Sequence, residues 1–225
     1  MLALVMSSPQ DEDWRSLREA GADRDRVLGA LFEDHRRRLR RMVELRMDPT
    51  LRARVAASDV VQEAYVEIAA RVRDHLEDPR MPFFLWLRFL TAQKLVDLYR
   101  HHVGTQKRDV RRQRTIDRAS FPAASSAVMA DHLVGARISP SGAAVQAEMR
   151  QQIRDGLDQM SSSDREVLVM RHYEELSNLE TAEELGIETS AASKRYLRAL
   201  QRLRKILEAS GAEETGQDAG PGPTA

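Results

Sequence analysis

The chain contains no cysteine, so disulfides and thiolate metal sites are excluded and nothing points to an oxidising compartment. Aromatic residues make up only 5% of its 225 positions, and runs of Val, Ile and Thr of strand length are scarce. That scarcity argues against a sheet, because β-branched and aromatic side chains are the ones that pack a pleated surface well. No segment approaches the roughly 20 consecutive apolar residues of a membrane-spanning helix. The opening MLALVMSSP lacks the basic start and the apolar run of a secretory signal, so a cytoplasmic protein with no membrane segment is expected. Net charge is missing as well, since 35 Lys and Arg balance 35 Asp and Glu.

What is present is Ala, Leu, Arg and Glu, the residues of helices, and 42% of the chain is apolar. That is enough for one ordinary domain or two small ones to bury real cores. The balanced total conceals segregation along the sequence. Between Ser190 and Lys205 stand Lys194, Arg195, Arg198, Arg202, Arg204 and Lys205 with no acid, whereas Glu174 to Glu188 holds six acids and no base. Asp59 to Asp78 is mostly acidic, and Arg100 to Arg118 is mostly basic. Separate faces of this kind suit separate partners.

Residues 1–25 mix charges without an apolar period and read as an irregular or loosely helical extension. From Val27 the recurrence of Leu28, Leu31, Phe32, Leu39, Met42 and Val43 predicts one long helix, with Arg36, Arg37, Arg40 and Arg41 on its other side. Asp48 and Pro49 end it. A second helix begins near Ser58, turning Val60, Val61, Ala64, Ile68 and Val72 inward and Asp59, Glu63 and Glu67 outward. After Pro79 and Pro82 comes FFLWLRFLTAQKLVDLYRHH, a third helix and the most apolar piece of the chain. These helices can bury one another as a bundle over residues 26–103. Residues 104–139, basic at first and then rich in Ala, Ser, Pro and Gly, read as a flexible linker.

Residues 140–208 are better punctuated. Ser139 and Pro140 suit a helix entry, and Ser163-Asp164-Arg165-Glu166 and Ser177-Asn178-Leu179-Glu180 both fit the capping box that marks a helix start. Gly186 suits the end of a short helix from Leu179 to Leu185, and Thr189 or Ser190 caps a last helix to about Glu208. Residues 209–225 form a polar tail expected to be disordered. Two helices joined by a short Gly turn make a helix-turn-helix. On its second helix Ala192, Tyr196, Ala199 and Leu203 share one side, while Ser190, Lys194, Arg198 and Gln201 centre on the other. A helix laid in the major groove reads base edges with its first turns and grips phosphates with flanking Arg and Lys. Ser190, Ser193, Lys194 and Arg198 are therefore expected to face bases, and Arg195, Arg202 and Arg204 phosphates. Leu197 also falls outward, where it suits either a thymine methyl or a domain contact.

The stretch MSSSDREVLVMRHYEELSNLETAEELGIETSAASKRYLRALQRLRKIL resembles the C-terminal domain of bacterial sigma factors, with its Arg-Glu-Val-Leu, Leu-Ser and Ala-Glu-x-Leu-Gly-Ile pattern. SDVVQEAYVEIAARV resembles the sigma helix that docks on RNA polymerase, and FFLWLRFLTAQKLVDLYRHH the adjoining element that opens the promoter. With only these two domains, the chain is similar to the extracytoplasmic-function group. The resemblance implies an all-α fold of two small helical bundles joined by a flexible linker, the C-terminal bundle containing the helix-turn-helix. It implies core RNA polymerase and promoter DNA as partners, with an anti-sigma protein as an optional third, and no cofactor, metal or catalysis of its own. By match to the family's Asp-x-x-Gln-Glu, Asp59, Gln62 and Glu63 are the implied polymerase contacts. Arg88, Lys94, Arg100 and His101 are the implied contacts to the melted strand, while Trp86 is expected to be structural. Gln93, Thr181 and Ala192 depart from the usual pattern and suggest a subgroup.

Two other functions are weighed against this one. A free-standing helix-turn-helix regulator needs a dimer surface or ligand pocket that the sequence does not announce. A metal-dependent nuclease built on Asp59, Glu63 and Glu67 fails because hard cations need oxygen ligands converging from several directions, which one helix stripe does not provide.

Overall fold

The computed structural model describes residues 9–103, 122–135 and 143–217, and among these every regular element is helical, with no strand. The chain divides into two compact units, Met1–Pro122 with Tyr173–Glu175, and Ala123–His172 with Leu176–Ala225.

The first unit contains α1 (Pro9–Glu19), α2 (Arg24–Arg46), a single turn α3 (Pro49–Arg52), α4 (Ala57–Leu76) and α5 (Phe83–Val103). The predicted inward stripes meet as expected, with Leu28, Leu39 and Met42 of α2, Val60, Val61, Ala64 and Ile68 of α4, and Phe83, Trp86 and Leu87 of α5 all buried. Fully burying side chains of this size stabilises by about 1.5–3 kcal/mol each. Asp48 and Pro49 do more than end α2. Asp48 caps α3, its Oδ1 accepting from the Leu51 N–H at 2.7 Å, and Pro49 occupies the first turn, where its missing N–H costs nothing. The Tyr99 hydroxyl fastens this corner, donating to the Arg46 carbonyl and accepting from the Asp48 N–H, both at 2.7 Å.

The segment read as an irregular or loosely helical extension is helical over Pro9–Glu19, and that helix is part of this core. Trp14 of α1 is 3% exposed and Leu17 is fully buried. The indole N–H donates to the Met81 carbonyl at 3.0 Å, and the ring meets Phe83 edge-on at 5.0 Å and Trp86 at 5.4 Å. Only two large apolar residues anchor this helix, too few to announce a period in the sequence.

His75 lies against the same cluster, stacked on Trp86 at 5.0 Å between ring centroids and 6.1 Å from Trp14. Burial and the neighbouring Arg80 hold its pKa below the usual imidazole value of 6.5. On acidification the unfolded chain therefore takes up the proton first. The stability that neutral His75 contributes is complete above about pH 6.5 and is lost as the pH falls from there towards the folded pKa. Denaturant unfolding of this unit at pH 7.5 and 5.5 should show wild type losing more stability on acidification than His75→Phe.

The second unit contains α6 (Ser126–Gly135), α7 (Ala143–Gln159), α8 (Ser162–Leu168), α9 (Asn178–Leu185) and α10 (Thr189–Gln217), and a π-helical turn, Val169–Tyr173, follows α8, its last residue counted with the first unit. α6 lies inside the span expected to be linker. It buries Met129, Ala130 and Val134, and the Arg165 guanidinium donates to its Ser126 hydroxyl at 2.9 Å. The basic half of the expected linker, including Lys107, Arg108, Arg111, Arg112 and Arg114, falls outside the described residues.

The entry to α8 is two residues earlier than its sequence suggested. Ser161, not Ser163, is the cap, its Oγ accepting from the Asp164 N–H at 3.2 Å. Asp164 is then buried and paired with Arg202 of α10, a long-range contact that selects one register among three consecutive serines. Helix α10 also runs past Glu208 to Gln217, into the expected tail, whose Ala and Glu residues favour helix. Gly156 of α7 faces α10 directly. A Cβ there would sit 3.1 Å from Leu207 Cδ2, so the glycine sets how closely the two helices approach.

Candidate nucleic-acid interface

The end of the second unit is built by local rules. Ser177 and Glu180 form the predicted capping box, with the Glu180 N–H donating to Ser177 Oγ at 3.1 Å and the Ser177 N–H to the Glu180 carboxylate at 2.6 Å. Gly186 stops α9 at φ 63°, ψ 38°, a left-handed conformation that glycine reaches without a Cβ clash, and the Ile187 N–H returns to the Ala182 carbonyl at 2.9 Å. Asn178 Nδ2 donates to the Thr189 carbonyl at 2.9 Å, tying the entrance of α9 to that of α10. Ala182, Ala192 and Ala199 are all buried, so small side chains let the packed helices come close.

Three groups hold α10 from behind. The Tyr196 hydroxyl and His172 Nε2 share a hydrogen bond of 2.8 Å, the Arg171 guanidinium stands 5.5 Å from the Tyr196 ring, and Arg202 reaches Asp164. Burial and the adjacent Arg171 lower the pKa of His172, which favours its neutral form in this bond. With its inner side fixed, α10 turns Ser190, Lys194, Arg198 and Gln201 to solvent. Ser193 and Arg195 are half-buried at the edges of that face. Arg198 Nε donates to the Lys194 carbonyl at 3.3 Å within the helix, and Arg204 pairs with Glu208 at 2.6 Å. Leu197, 55% exposed, stands in the middle of this polar face.

In the first unit the predicted site residues separate. Asp59, Gln62 and Glu63 are exposed on one side of α4. Among them stands Val66, 68% exposed and one turn beyond Gln62 and Glu63, which sequence reasoning passed over. Its place on the polar side of the helical period was the available signal. Lys94 leans from α5 towards this face and binds Glu63 at 2.7 Å. Arg71 pairs with Glu67 and also donates to Gln93 at 3.3 Å.

Arg88 requires a correction. It is 3% exposed, and its Nε donates to the fully buried carboxylate of Glu174 at 2.6 Å, within the first unit. Burial alone would raise the Glu174 pKa, but Arg46 and Arg88 hold it low, so the carboxylate stays charged and retains both guanidinium groups. Arg88 is thus a buried ion-pair member and not a strand contact presented to solvent. Its neighbours Phe83, Phe84 and Trp86 are buried as well, whereas Phe89 is 36% exposed at the surface of α5 and Tyr99, engaged at the corner after α2, is half-buried. Spacings of four, four and three residues place Phe89, Gln93, Asp97 and Arg100 on one side of that helix. Arg100 remains half-exposed, 3.5 Å from Asp97, and His101 is exposed.

Among the described residues no three His, Asp or Glu side chains converge in a way that could hold a metal ion, and no helix is long and apolar enough to cross a membrane.

Residues 150–203 match the family model for Sigma-70, region 4. No curated protein matches the sequence. The solved structure of CnrH in complex with the cytosolic domain of CnrY is similar at 23% identity with a TM-score of 0.49, the match covering 88% of this chain and 97% of that one. The capping box at Ser177, the left-handed Gly186 and the outward bases Lys194 and Arg198 all fall inside the matched family segment. The similarity to Sigma-70, region 4 therefore spans α8, α9, the glycine turn and the first half of α10.

Proposed function

We propose that the chain is a dissociable sigma factor of the two-domain extracytoplasmic-function group, acting in the cytoplasm on core RNA polymerase and promoter DNA. The observation that carries this reading is the outward face of α10. It presents Ser190, Lys194 and Arg198 to solvent behind a capped helix and a glycine turn, inside a region 4 segment. That face suits the major groove of an upstream promoter element, with Arg195 and the more distant Arg202 flanking it towards phosphates.

In the first unit, the α4 face with Asp59, Gln62, Glu63 and Val66 suits a basic protein surface better than it suits DNA. An apolar centre rimmed by charge is the usual anatomy of a protein contact. Lys94, held by Glu63, steadies that face. Melted promoter bases are better served by the Phe89, Gln93 and Arg100 side of α5, with His101 at its end, because an exposed ring can take a stacked base while cations follow the backbone. An anti-sigma protein follows from the family resemblance alone.

Transcription from a cognate promoter by core polymerase should require the added protein. The Asp59→Lys/Glu63→Lys variant should fail to pull down core polymerase while retaining duplex binding by the second unit. Normal capture of polymerase by the charge-reversed variant would remove α4 as the docking face. Promoter binding with no effect on core polymerase would favour a free-standing regulator.

A further inference from the structure

We infer that Leu197 reads the C5 methyl group of a thymine in the upstream promoter duplex. The inference rests on the proposed docking of α10 in the major groove and specifies what its face recognises there.

The argument starts from an oddity of placement. With Ala192 and Ala199 pointing to the core, the opposite side of α10 is centred on Ser190, Lys194, Leu197 and Gln201, spaced at three and four residues. Three of these four carry hydrogen-bonding groups, and the fourth is a leucine with 55% of its surface exposed. It is not a displaced core residue, because the inner side of the helix is already occupied by Ala192, Tyr196 and Ala199. Exposed single leucines are common on protein surfaces, but this one lies where a base edge would approach. The cations around it, Lys194 and Arg198, are exposed on the same face and suit the polar edges of neighbouring bases. The only apolar group that B-form DNA presents in its major groove is the thymine methyl. A leucine between hydrogen-bonding neighbours can therefore bury that methyl without leaving a polar base atom unpaired. Cytosine offers a donor and no methyl at that position, and it would meet an aliphatic chain that cannot accept.

The test uses the full-length protein and a duplex selected from a randomised pool. Each thymine in turn is replaced by deoxyuridine, which removes the methyl and nothing else. Losing one buried methyl should weaken wild-type binding about fourfold at a single thymine, and the same replacement should leave Leu197→Ala unaffected. Leu197→Ala should itself bind the thymine duplex about as weakly as wild type binds the uracil one, with its unfolding midpoint unchanged. The inference is overturned if no thymine shows the effect, or if Leu197→Ala still senses the methyl, while Lys194→Ala weakens binding as expected. If Lys194→Ala also leaves binding unchanged, the failure belongs to the docking of α10 itself.

Discussion

Trp14→Ala should destabilise the first unit by about 3–5 kcal/mol, the range for emptying a buried tryptophan site. The reasons are local and independent of one another. The indole is 3% exposed, contacts Phe83 and Trp86, and donates its N–H to the Met81 carbonyl at 3.0 Å. Removing it opens a cavity beneath α1 and takes away the main anchor holding that helix, since Leu17 is the other large apolar side chain it buries. For a domain whose total stability is about 5–15 kcal/mol, this is a large fraction. Trp14→Phe separates the two contributions, because it keeps most of the apolar bulk and loses the hydrogen bond. It should cost much less than the alanine variant, with roughly 1 kcal/mol from the bond itself. Urea unfolding followed by circular dichroism measures both. A loss below about 1 kcal/mol in Trp14→Ala would mean that α1 rests on the bundle without stabilising it.

The contrast between α9 and α1 explains which parts of this fold were legible beforehand. The helix-turn-helix is written in short-range terms: Ser177 and Glu180 are three residues apart, Gly186 acts on its own backbone, and the bases of α10 repeat at helical spacing. Local chemistry of this kind survives almost any tertiary context. Arg88 is the opposite case. FFLWLRFL is apolar on every side, so its period does not say which way the single charge points, and the deciding partner, Glu174, lies 86 residues away. Ser161 was missed for a related reason. SSSD offers three caps of nearly equal merit, and the choice was made by Arg202, which binds Asp164 from another helix. α6 was hidden by its surroundings, since the span around it is rich in Ala, Ser, Pro and Gly and the helix is only ten residues long, with Met129, Ala130 and Val134 as its buried apolar residues. In the α4 face the charges were legible, and Val66 was passed over because an isolated valine among acids carries no motif, although the helical period placed it on the polar side.

Replacing Lys194 and Arg198 together by alanine should weaken duplex promoter binding by about 2–6 kcal/mol, the sum of 1–3 kcal/mol for each lost base contact. Both side chains are exposed on α10, and alanine is a better helix former than either, so the fold should be untouched. The loss then reports on recognition and not on stability. Its sequence dependence carries the argument further. A base contact discriminates, so each single variant should lose most on the preferred duplex and little on a scrambled one, and preference should relax at one base pair for each residue. Arg195→Ala, as a phosphate contact, should instead weaken binding on every duplex and reduce the slope of affinity against salt by about one. Titrations at two salt concentrations on cognate and scrambled duplexes distinguish these outcomes. Uniform losses for Lys194 and Arg198, accompanied by a shallower salt slope, would make them phosphate contacts and transfer base reading to Ser190, Ser193 and their neighbours at the start of α10.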